Sequence, residues 1–434
     1  MTSASPIGRI VAGAPRYLLG VAAYSIAASI ASSLLGVIFL VAAGRLLEPS
    51  AIGTGFAATS LVALAGNLSL LGFATALIRF RTQLGAAYRD AAISTLFISL
   101  PISVAISIGI WATLGRGTAL AASPWWLAAV LVLPAVIAGW LDAASIAAGD
   151  PRAVLIRNVA TGLVRIALLL TVVHTDIDIV WTTCLALAIS CAIVAPRRAE
   201  LRTTLRVRIT LPPRPLFVYA LKQSAVTLAF NAPTYLAGVV VLAVQGATQA
   251  GYFGLIWGIG FMLSTLGDAA GQGLLAHGSR DEARLDGLHR KSLAYVGIPL
   301  TVAAGLGALL APLLRVAYGA ALPDYALLNF ALICVAAVPY VVVTTTVGRL
   351  RVTSQSSLAF GVAALSGLGT IALILPLKSI AGSASPGWAY LAANLGAAAV
   401  ALVILRASRP VRPAGPEQAA ESDVAPALEE GASR

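Results

Sequence analysis

The chain has 434 residues, 59% hydrophobic and only 11% charged, with a mean hydropathy of +0.90. A soluble globular domain carries about 25% charged residues, so a water-facing surface over this much chain is excluded and the bilayer is the natural solvent. The formal net charge of +12 then belongs to loops on one side of a membrane and not to a nucleic-acid surface, because no basic stretch is interleaved with aromatics.

A helix needs about 20 apolar residues to span hydrocarbon. That ruler marks twelve segments: 17–43, 54–78, 91–114, 125–148, 153–173, 179–195, 216–244, 250–276, 292–314, 326–347, 358–378 and 387–405. The first is too long for a signal-peptide core and has no cleavage site in context. Trp125 and Trp126 open the fourth at a membrane interface, where aromatic belts form. The sixth and seventh are separated by "RRAELRTTLRVRITLPPRP", a basic, proline-containing connector. After the twelfth comes "RPVRPAGPEQAAESDVAPALEEGASR", rich in Pro, Ala and acid and without periodicity, the composition of a disordered tail. The predicted organisation is an all-α membrane protein: a first lobe in 1–196, a cytoplasmic linker over 197–215, a second lobe in 216–405 and a cytoplasmic tail over 406–434.

Loop charge sets the orientation. With the N-terminus inside, the outside loops hold only Arg45, Arg116, Arg315 and Lys378 of the 29 basic residues. Arg165 lies within a span, and the others sit at or near inside loops. This is the positive-inside pattern, and it predicts both termini in the cytoplasm. Every outside loop is short, so no outer domain is present to carry chemistry.

The two halves echo one another. The first pair of segments joins at "EPSAIGTGFAATSL" and the seventh and eighth at "GATQAGYFGLIWGI". Aligning Gly53 with Gly251 gives each half a long apolar run, a tight turn and a glycine–aromatic entry to the next helix. Equal helix counts about a central linker fit a parallel repeat around an axis along the membrane normal.

Ionisable groups inside spans are rare and tend to face a bundle interior or a water-filled cavity. Here they are Asp142, Arg165, Lys222 and Asp268, with Arg79 and Arg157 near inner ends. Asn158 and Arg165 are seven residues apart on the fifth segment and share a helical face with Thr161 between them. Arg165 stands about 18–20 Å above the inner end at 1.5 Å per residue. It either snorkels outward or faces a central cavity, where its planar fork suits phosphate; the cavity position is preferred. Asp142 either pairs with Arg157 or is a proton-coupling carboxylate. Asp268 either pairs with Lys222 or Arg284 or is a protonatable site in the second lobe. The amides Asn67 and Asn231, with Lys222, complete the candidate cavity set. Cys184, Cys191 and Cys334 all lie in apolar runs, and no disulfide framework, metal-ligand spacing, catalytic constellation or cofactor motif is present.

The stretch "LLGVIFLVAAGRLLEPSAIGTGFAATSLVALAGNLSLLGFATALIRF" resembles the opening of the Wzx-like oligosaccharidyl-lipid flippases, the polysaccharide-biosynthesis membrane proteins of the MOP superfamily. "GATQAGYFGLIWGIGFMLSTLGDA" and "YGAALPDYALLNFALICVAAVPYVV" resemble the matching turns of the second half. The resemblance covers about residues 17–405. It implies a two-lobed, MATE/MOP-like helical bundle in the cytoplasmic membrane that moves a lipid-linked glycan by alternating access. Glycosyltransferases or a polymerase of the same pathway are the implied partners, with membrane lipids around the bundle. The alternatives are a MATE-like antiporter of cationic drugs, which calls for acid-rich cavities, and a non-transporting scaffold of a glycan assembly complex.

Overall fold

In a computed structural model, residues 16–121, 123–173, 175–197, 211–278, 284–318 and 322–407 are described. His174, most of the basic linker (198–210) and the tail from 408 onward lie outside the described residues. The chain is helical, with no strand among the described residues. The first half comprises α1 (Arg16–Leu46), α2 (Pro49–Ser69), α3 (Phe73–Leu84), α4 (Tyr88–Thr113), α5 (Trp125–Ala148), α6 (Pro151–Val172) and α7 (Asp176–Val194). The second comprises α8 (Arg214–Gln245), α9 (Ala247–Gly278), α10 (Leu285–Leu309), the short α11 (Leu314–Tyr318), α12 (Asp324–Val352), α13 (Ser356–Ala381) and α14 (Ser385–Ala407).

Helix starts follow local chemistry. Proline stands in the first turn of α2, α6 and α8, where its missing N–H is no loss. A capping box opens α7: Asp178 Oδ2 accepts from the Thr175 backbone N–H at 2.8 Å. Among the described residues, ten helical runs are long and apolar enough to cross a membrane. One of them, Ser356–Ala407, holds both α13 and α14, and α1 contributes only the shorter apolar stretch Ile30–Leu46. The protein is therefore a multi-pass membrane protein.

The expected second segment, 54–78, is not one helix. Leu71 and Gly72 adopt positive φ, 46° and 73°, and break it into α2 and α3. The cause is a close approach: a Cβ on Gly72 would stand 2.0 Å from the carbonyl oxygen of Ala220 on α8. Only glycine tolerates both the dihedral and the contact.

Each half has its own apolar core. In the first, Trp140 is buried with Ile93, Val132 and Leu141, and its indole N–H donates to the Ala92 carbonyl at 2.8 Å, tying α5 to α4. In the second, Phe230, Trp257, Tyr340 and Tyr390 form an aromatic cluster. The halves meet where α1, α2 and α3 pack on α8 and α9.

At the end bearing the α1–α2 and α8–α9 turns, hereafter the turn end, this contact is backbone on backbone. A Cβ on Gly53 would fall 2.1 Å from the Ala247 oxygen, and one on Gly251 would fall 1.8 Å from the Pro49 oxygen. Residues 49 and 53 thus meet 247 and 251 reciprocally, the contact a local two-fold axis generates. These are the two glycines that the sequence alignment of the halves equates.

Gly251→Val is expected to wedge the halves apart at the turn end and lower stability by about 1–3 kcal/mol, the usual cost of overpacking. Gly109→Ala, in α4 with open space around its Cβ position, is expected to be neutral or slightly stabilising. Thermal melts of the two variants in detergent check the pair; equal melting temperatures would contradict the close contact.

Candidate functional site

Away from the turn end the halves diverge around a cavity of about 450 Å³. It extends to the opposite, linker end: its lining includes Ile146 near the end of α5, Val154 in the first turn of α6, Leu275 late in α9 and Arg351 in the last turn of α12. Gln272, also in the lining, is exposed. Both halves contribute to it.

Of the residues singled out in the sequence, Asn67, Asp142, Asn158, Asn231 and Asp268 line this cavity. Asp142 is paired: Arg157 donates from Nε to Oδ1 at 2.7 Å and from Nη2 to Oδ2 at 2.6 Å. Arg157 Nη2 also donates to Asn158 Oδ1 at 2.6 Å. Arg157 is only 7% exposed and is not in the lining, so the carboxylate faces the cavity and the cation stands behind it. A bidentate, hydrogen-bonded pair is the arrangement that makes two buried charges tolerable.

Asp268 pairs with neither Lys222 nor Arg284; its Oδ1 accepts a hydrogen bond from Tyr340 Oη at 2.9 Å. Lys222 is exposed on α8 and lies outside the lining. Thr161 is also outside it. Its hydroxyl lies 2.8 Å from the Arg157 carbonyl oxygen and 2.7 Å from Ser190 Oγ, joining α6 to α7.

Arg165 is not in the cavity lining. Its guanidinium sits over the Phe39 ring of α1, 3.7 Å from the centroid, a cation–π contact, and its Nε is buried without a hydrogen-bond partner. It shares a helical face with Asn158, as expected. It also lies about two turns, or 10 Å, further toward the turn end, beyond the depth the cavity reaches on α6.

The cavity's own arginine is Arg351, which sequence reasoning assigned to an inside loop. α12 continues past the expected segment end to Val352, so Arg349 and Arg351 both lie in its last turns, about 200° apart around the axis. Arg349 turns outward to Asp286 of α10 at 2.9 Å. Arg351 turns to the cavity, where its Nη2 donates to Thr227 Oγ1 at 3.1 Å and its Nε has no hydrogen-bond partner. No carboxylate among the described residues forms an ion pair with it. The signal available in the sequence was the spacing of the two arginines: opposite faces of one helix end cannot both reach the same surroundings.

Comparison with known proteins adds the fold. No protein-family model and no curated protein sequence matches the chain. A structure of MATE in complex with MaL6 superposes with a TM-score of 0.60 at 15% identity over 91% of this chain and 98% of that one. An outward-facing multidrug resistance MATE family transporter of the MOP superfamily gives 0.61 at 15% identity over 94% and 98%. A MOP superfamily transporter from Pyrococcus furiosus Vc1, whose binding pocket of reverse polarity is said to suggest a different function, gives 0.59 at 16% identity over 90% and 94%. The chain is an all-α membrane protein with the fold of the MATE transporters of the MOP superfamily.

Proposed function

We propose that the protein is a transporter of the cytoplasmic membrane that carries the anionic, phosphate-bearing head of a lipid-linked glycan across the bilayer by alternating access. The observation that carries this reading is Arg351: a guanidinium at the wall of the cavity between the halves, with donors left over and no ion-pair partner among the described residues. Arginine's fork matches phosphate geometry. The nearby cation–carboxylate pairs, Arg157–Asp142 and Arg349–Asp286, are self-neutralising. Amides at Asn67, Asn158 and Asn231 and hydroxyls at Thr75, Thr227 and Thr265 also line the cavity, groups that exchange hydrogen bonds with sugar hydroxyls. We assign the anchoring role to Arg351, and give Arg165 a packing role over Phe39.

The same reading takes the chain as two six-span lobes joined by the basic linker, with both ends cytoplasmic, so the linker end is the inner end. The distribution of arginine in the loops supports it. Glycosyltransferases or a polymerase of the glycan pathway would supply and use the cargo. A second reading, a MATE-like antiporter of cations, is favoured by Asp268, a cavity carboxylate held by a single hydroxyl donor. Within the first reading Asp268 serves as the ion-coupling group.

Transport of a fluorescent polyprenyl-pyrophosphate sugar into proteoliposomes tests the substrate class. Arg351→Ala is expected to weaken apparent affinity about ten- to a hundredfold, the loss of a hydrogen bond to a charged group. Arg351→Lys should restore it only in part. Arg165→Ala should leave affinity near that of the parent protein. Transport of ethidium with no transport of the pyrophosphate lipid would overturn the anionic reading in favour of the cation antiporter.

Coupling is checked separately. Asp268→Asn is expected to abolish ion-gradient-driven accumulation while leaving exchange of substrate at equal concentrations intact. Full gradient-driven accumulation by that variant removes Asp268 from the coupling role.

A further inference from the structure

Between described residues, two side chains form hydrogen bonds from the first half to the second, and both are arginines. At the linker end Arg79 Nη2 on α3 donates to Ser354 Oγ, just past α12, at a long 3.4 Å. At the turn end Arg45, in the last turn of α1, donates from Nε to the Ala317 carbonyl oxygen at 2.9 Å and from Nη2 to the Val316 oxygen at 3.5 Å. The short bond is thus at the end that is shut, and the long one at the end toward which the cavity extends.

The surroundings of Arg45 fit a demountable joint. Val316 and Ala317 lie in the last turn of the five-residue α11, where carbonyls have no partner within the helix and a cation is favoured. Next to Arg45, a Cβ on Gly44 would come within 2.7 Å of the Tyr318 ring, so α1 and α11 are in direct contact. The other inter-half contacts at this end are the Gly53–Gly251 backbone approach and apolar packing, with Leu255 against Gly44, Phe56 against Gly238 and Gly254, and Leu40 against Gly258; among the described residues none of these is a side-chain hydrogen bond. Arg45 is exposed, so its guanidinium can exchange carbonyls for water at little cost in desolvation.

We propose that Arg45 is the turn-end latch: its hydrogen bonds to the α11 carbonyls hold that end closed, and the cavity becomes accessible there only when they break. The proposal rests on the alternating-access reading for the existence of a second state, and names the contact that sets its population.

The test is a distance measurement between halves at the turn end. Spin labels at Leu114→Cys, just past α4, and Leu310→Cys, just past α10, sit on exposed positions of opposite halves; the three native cysteines are buried. Pulsed electron–electron resonance on the protein in lipid nanodiscs then reports closed and open populations. Arg45→Ala is expected to raise the open-to-closed ratio about three- to tenfold, the net worth of such hydrogen bonds. Arg45→Lys, which keeps the charge but loses the fork, should give a smaller rise. Gly251→Val, the wedge described above, serves as a positive control for opening. If Gly251→Val lengthens the distance while Arg45→Ala and Arg45→Lys leave it at the parent distribution, the latch is overturned and the two-state movement stands. If none of the three lengthens it, both the latch and the alternating-access reading fall.

Discussion

The close approach of α2 to α9 is the constraint on which the remaining architecture depends. With no side chain at Gly53 or Gly251, the backbones of the two halves touch at the turn end. Small residues are how helices in lipid gain contact, since burying apolar surface against another helix gives no advantage over burying it against acyl chains. The halves touch again near the linker end, where Gly72 meets the Ala220 carbonyl and Phe73 packs with Leu216 and Tyr219, and between the other helices a gap remains unless side chains fill it. They fill it only in part: Ile78, Ile146, Val154, Phe230, Leu275 and Val347 share the lining with alanine, glycine, threonine and asparagine, and about 450 Å³ stays open. The cavity is thus a consequence of the glycine contact as much as of its own residues.

Charge inside hydrocarbon is expensive, and the charges around the cavity are settled in several ways. Asp142 and Arg157 neutralise each other through two short hydrogen bonds. Arg349 does the same with Asp286. Asp268 is held by a tyrosine hydroxyl. Arg165 covers an aromatic face. Arg351 is the exception: one threonine hydroxyl, one buried Nε without a partner, and otherwise the cavity. An arginine left under-satisfied beside an open cavity is the observation that supports the proposed anionic substrate class.

The sequence by itself determined the solvent and the all-helical class. Hydropathy is a local property, summed over about 20 consecutive residues, so the segments could be marked without knowing any neighbour. Because burial of ionisable groups in lipid is costly wherever it occurs, Asp142 and Asp268 stood out before any contact was known, and both line the cavity. The equation of Gly53 with Gly251 was also legible, since both follow a tight turn four residues into the next helix.

Tertiary structure decided what depends on depth and on facing partners. Arg165 and Asn158 share one face of α6, yet only Asn158 reaches the cavity, because the space between the halves closes before the level of Arg165. The break at Leu71–Gly72 answers to the carbonyl of Ala220, about 150 residues away in sequence, which no local pattern encodes. Arg351 looked like a loop charge because hydropathy fades at a span's end, whereas the helix persists for another turn and its 3.6-residue period turns that side chain inward. Periodicity and polarity are written along one chain; which charge stands free is settled only when a second helix arrives with, or without, its partner.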